Sequence, residues 1–104
     1  MIKINVNGRD YLVSERPTAH DTIGHGLVVA YDYFSTRNGD RFGPIRLAST
    51  ADKPKSVGGQ IVAQAAQILN ADHDAMIAEA ARLTDEFRAS GKSGSYPRVG
   101  LITS

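Results

Sequence analysis

The 104-residue chain has no cysteine and no tryptophan. Without cysteine there is no disulfide framework, no thiolate metal site and no thiol nucleophile. Net charge is almost absent too: twelve Lys and Arg stand against eleven Asp and Glu. The first 55 residues hold eight bases and six acids, and the remainder four bases and five acids. Neither half offers the strongly basic surface of a dedicated nucleic-acid binder. No apolar run approaches the roughly 18 residues of a membrane span. The opening MIKINVNG lacks the apolar stretch of a signal peptide. A cytoplasmic location is the expectation from these absences.

One absence is local. From Ser56 to Ala71 the chain reads SVGGQIVAQAAQILNA, sixteen residues without a charge. Average composition would place roughly three or four charges there. A helix with no charged face is expected to be buried in its domain or covered by a partner.

The residues that are present describe one domain, 1–104, of the α+β class. Hydrophobic content is 41%, the globular norm, and a chain this long buries about 65% of its unfolded surface. Ile2, Ile4 and Val6 alternate with Lys3 and Asn5, the period of a strand. Asn7-Gly8 then supplies the positive φ of a two-residue hairpin turn. That turn pairs Val6 with Arg9, Ile4 with Tyr11 and Ile2 with Val13, so Ile2, Ile4, Tyr11 and Val13 share a face. This opening resembles the first hairpin of many small β-grasp domains. The likeness covers a dozen residues, too few to carry a function.

Ser14 to Gly26 reads as a connection, with Thr18 capping a short helical turn over His20–Ile23. Residues 27–47 read as a second hairpin around Asn38-Gly39. Its register sets Phe42 across from Ser35 and Ile45 across from Asp32. Gly43-Pro44 interrupts the return strand, which calls for a bulge or an edge position. Ser56 caps a helix whose apolar stripe is Val57, Ile61, Ala65 and Ile68, widened by Val62 and Leu69. Gly58 and Gly59 weaken its first turn and point to a late start. A second helix follows a cap at Asp72, with Met76, Ala80, Leu83 and Phe87 as its stripe and Gly91 beyond its end. Residues 99–103 are a candidate fifth strand. The expected architecture is an antiparallel sheet of two hairpins, with that strand as an optional addition, packed against two helices.

Chemistry-bearing patterns are few. His20-Asp21 and His25 lie together in sequence and His73 lies far along, whereas a metal site needs three or four converging ligands. Gly91-Lys92-Ser93 resembles the end of a phosphate loop, but Glu86 occupies the position of the first glycine. No nucleophile elbow is present. The second helix carries five acids against two bases, the wrong sign for a DNA recognition helix. The expectation is a chain without catalysis, metal or cofactor of its own.

Two contact surfaces remain. The first is the stripe of Gln60, Gln64 and Gln67, flanked by Ala63, on the charge-free helix. It marks a protein-partner or self-association surface, because charged residues are depleted at interface cores. A small regulator fits, of the kind that occludes a partner as phage-type inhibitors of host enzymes do, and so does a homodimer. The second is the hairpin 31–46, where Arg37, Arg41, Arg46 and Tyr33 sit among aromatics. Arginines that meet phosphates beside rings that stack bases make nucleic-acid binding the alternative.

Overall fold

The computed structural model describes residues 1–104 as a five-stranded antiparallel sheet with two helices on one face. The strands are β1 (Ile2–Val6), β2 (Arg9–Val13), β3 (Thr18–Thr22), β4 (Gly26–Arg37) and β5 (Asp40–Ser49). The helices are α1 (Val57–Leu69) and α2 (His73–Ala89).

The first hairpin has the register that its Asn-Gly turn dictates: Val6 opposite Arg9, Ile4 opposite Tyr11, Ile2 opposite Val13. Asn7 and Gly8 have φ of 53° and 84°, both in the left-handed region such a turn requires. β4 organises the rest. One of its edges takes β2 along Tyr33–Ser35 and β3 along Gly26–Ala30, and the other takes β5. β2 and β3 are thus one interrupted strand, bent where the buried Pro17 cannot donate to a ladder.

β3 replaces the expected helical turn over His20–Ile23. Its sequence, TAHDT, has one apolar residue and no strand-like alternation. Its backbone is held from both sides: β4 pairs with all five residues, and Ala19 exchanges hydrogen bonds of 2.8 and 2.9 Å with Val99. Neighbouring strands in space, and not local preference, decide this segment. The C-terminal residues do not form a regular strand. They make two isolated bridges, Ala19 to Val99 and Ala71 to Thr103.

The second hairpin keeps Ser35 opposite Phe42, as its turn implies. Asp32 faces Leu47 and not Ile45, because a register shift lies between Tyr33 and Ser35. Gly43, at φ 87°, sits within that irregular stretch beside Pro44 on an edge strand.

α1 begins at Val57, directly after Ser56, whose hydroxyl accepts the Gly59 N–H at 3.0 Å. The helix does not start late, because its glycines answer a packing demand. A Cβ on Gly58 would meet the Asp52 carboxylate, and one on Gly59 would run into the Lys53 carbonyl. Asn70 ends the helix at φ 54°, and Asp72 caps α2 by accepting the Ala75 N–H.

α1 packs on β1 and β5, and α2 on β3 and β4. The core joins Ile4, Val6, Tyr11, Val13, Val29, Tyr31 and Ala48 of the sheet to Ile61, Val62, Ala65, Met76 and Ala80 of the helices. Ile68 is 56% exposed and does not face the sheet; Leu69 continues the packed stripe instead. Leu83 and Phe87 are half-buried, and Thr84 is the buried residue of that turn.

Gly59→Ala tests the helix start. Alanine in a helix interior ordinarily gains about 1 kcal/mol over glycine. Here the displaced Lys53 backbone reverses the sign, and urea denaturation should show a loss of about 1–3 kcal/mol.

Candidate functional site

Alternation and pairing assign a face to each paired residue of the second hairpin. Val29, Tyr31 and Tyr33 point to the helices, as does Ala48 opposite Tyr31. Phe34 points to the other side, with Leu12 paired beside it. Asp32 shares that side with Leu47, and Ile45 lies two residues before Leu47 in the unpaired stretch of β5. No helix covers this face. Ile45 and Leu47 are 56% and 57% exposed, whereas Phe34 is only 2% exposed. From Asp40 to Leu47 every residue of β5 is exposed, and the ladder to β4 is interrupted between Phe42 and Arg46.

The three arginines of the alternative surface are divided between the two faces of the hairpin, Arg37 and Arg46 on the helix side and Arg41 on the open side. Arg37 lies over the Phe42 ring at 4.2 Å, and Arg41 over the Phe34 ring at 4.6 Å. Arg37 and Phe42 are on the helix side, Arg41 and Phe34 on the open side. Each guanidinium covers a ring face of its own chain, which removes that face from base stacking. Arg46 pairs with Tyr33 across the ladder and lines a cleft with it.

The glutamine stripe is divided as well. Gln60 donates to the Lys55 carbonyl at 3.1 Å, and Gln64 donates to the Asn5 carbonyl at 3.2 Å. Gln64 thereby ties α1 to β1. Ala63 and Gln67 are open to solvent, and Ile68 extends that uncharged exposed strip.

The histidines fall in three places. His20 and Asp21 are on β3, His25 is in the turn before β4, and His73 opens α2. No three His, Asp or Glu side chains converge on one point. Asp21 instead accepts from Arg88 at 2.9 Å, which also stacks over Tyr96 at 5.0 Å. This arrangement fastens the end of α2 to β3 and to the C-terminal segment. Along α2, Arg82 bonds Glu79 and Glu86, the salt-laced outer edge its spacing implies.

His73 has a more specific setting. Its Nε2 lies 2.7 Å from the Tyr31 hydroxyl, beneath a groove of about 290 Å³ lined by Asp52, Val62 and Ala66 among others. Burial pushes the Tyr31 hydroxyl up to about 12, so it stays protonated. The same burial holds His73 below the ordinary imidazole range, against the opposing pull of Asp74 and Asp72. This pair has the form of a structural clasp between β4 and α2. Sequence spacing gave no sign of the pair, since 42 residues separate its members.

The chain matches no known protein family, no curated protein and no solved structure.

Both perturbed histidines predict a pH dependence. His20 is also lowered, first by burial and then by Arg98, with Asp21 opposing. A base whose folded pKa is depressed binds fewer protons folded than unfolded. Stability is therefore complete above the usual value of 6.5 and is lost as pH falls below it. Urea midpoints at about pH 7.5 and about pH 5.5 should differ, with the lower midpoint at the lower pH. His73→Gln, which can still hydrogen-bond to Tyr31 and does not titrate, should reduce that difference.

Proposed function

We propose that the protein is a non-catalytic interaction protein that associates with a second copy of itself through the open face of the sheet. The supporting observation is the apolar strip of Ile45 and Leu47 on β5, both more than half exposed, with Leu47 on the face that no helix covers. Exposed large apolar side chains grouped together on a regular surface mark contact sites.

Charge favours a second copy as the occupant. Arg41, opposite Thr36, lies at one end of the strip, and Asp32, opposite Leu47, lies at the other. A twofold axis through the strip near Ile45 brings the Arg41 of each copy toward the Asp32 of the other, the self-complementarity that an isologous contact needs. Face-to-face packing is also preferred to edge pairing. Pro44 has no N–H to donate, and the irregular stretch at Gly43 interrupts the outer edge of β5. Ala63, Gln67 and Ile68 form a second exposed strip, on α1, without comparable charge pairing.

Light scattering over a concentration series tests the reading. The wild type should move from monomer to dimer, and Ile45→Glu with Leu47→Glu should remain monomeric while keeping its fold. Asp32→Arg and Arg41→Asp should each weaken the dimer, and the two together should restore it. Gln67→Glu should change nothing. A wild type that stays monomeric at every concentration removes this reading.

A further inference from the structure

On the helix side of the same hairpin, the sheet and the start of α1 enclose a cleft of about 170 Å³. Its lining is Arg9, Tyr11, Tyr33, Ser35, Arg46 and Val57. The register explains the convergence. Tyr11 pairs with Ser35, and Tyr33 with Arg46, in adjacent rows of one sheet face. Arg9 precedes Tyr11 by two residues and shares that face. Val57 forms the wall at the first turn of α1.

We propose that this cleft binds the phosphate group of a small phosphomonoester. Two guanidiniums, two phenols and one serine hydroxyl line it, and no carboxylate is among the lining residues. Neither Arg9 nor Arg46 belongs to any of the chain's ion pairs. Every other cationic side chain of the hairpin has an aromatic face to lie on, whereas Arg46 opens onto the cleft. The two tyrosine rings meet edge to face at 5.6 Å, which holds their hydroxyls in fixed relation. Burial pushes the Tyr33 hydroxyl up, so it keeps its proton and can donate.

The chemistry suits a tetrahedral oxyanion. A guanidinium fork matches a pair of phosphate oxygens, and phenol and serine O–H groups reach the remaining ones. Asp52, whose charge opposes ionisation of Tyr33, lies in the turn before α1 and accepts the Ser49 N–H at 2.9 Å. Size points to a head group. Whole small-molecule sites run to roughly 300–1,000 Å³, so this cleft takes a phosphate and leaves the remainder of its ester in solvent.

Inorganic phosphate titrated into the full chain, followed by amide NMR shifts, tests the proposal. Saturable shifts should cluster at Tyr11, Tyr33, Ser35 and Arg46. Arg46→Gln and Arg9→Gln should each weaken binding by about 10- to 100-fold, the range for one charge-assisted hydrogen bond. Both side chains are exposed, so the amide pattern should stay that of the folded protein. Arg37→Gln, outside the cleft and stacked on Phe42, should bind as the wild type does. Shifts that never saturate, or an unchanged affinity in Arg46→Gln, would overturn the site. A short DNA single strand provides the competing arm. If it binds with a steep salt dependence and excess phosphate fails to displace it, a nucleic-acid interface replaces the small-ligand site.

Discussion

β4 must satisfy its backbone on both edges, and the rest of the fold follows from how it does so. Its twelve residues meet β2 and β3 on one side and β5 on the other. An unpaired backbone group in the middle of a sheet is costly. Both flanking strands are therefore obliged to follow β4, including the weakly apolar β3. The same pairing distributes side chains between two faces. Val29, Tyr31 and Tyr33 become the floor on which α1 and α2 rest, and Asp32 and Phe34 are left on the side without helices.

The two proposed contact surfaces come from that division. They lie on opposite faces of one hairpin, close in space and separate in chemistry. The open face offers Leu47 between charges of opposite sign. The helix side offers cations and hydroxyls in a cleft. The hairpin extends beyond the helices, so neither face is covered along its full length, and the molecule is elongated at 49 × 28 × 22 Å.

Much of the fold was legible because it depends on local chemistry. The alternation at Ile2, Ile4 and Val6 and the Asn7-Gly8 turn specify one register and one buried face. The Ser56 and Asp72 caps sit where short polar side chains can accept exposed helix N–H groups. The errors were of another kind. Gly58 and Gly59 look like weak helix formers until the Asp52 carboxylate and Lys53 carbonyl are seen against them. Ile68 fits the periodic stripe, yet it lies at the margin of the helix face and escapes the sheet. The glutamine stripe looked uniform, but Gln60 and Gln64 hydrogen-bond to main-chain carbonyls while Gln67 is free. Arg37 and Arg41 looked like one cluster, and strand alternation set them on opposite faces.

The sequence by itself determined the α+β class, the first hairpin with its register and the capping residues Ser56 and Asp72. These follow from turn geometry, capping and hydrophobic period, all of which act within a few residues. Only the tertiary structure decided that TAHDT is a strand, that Tyr31 and His73 meet, which side chains of the charge-free helix remain exposed, and that Arg9 and Tyr11 share a cleft with Arg46. Each of these depends on segments distant in sequence being brought together by β4, so no window of neighbouring residues contains the information.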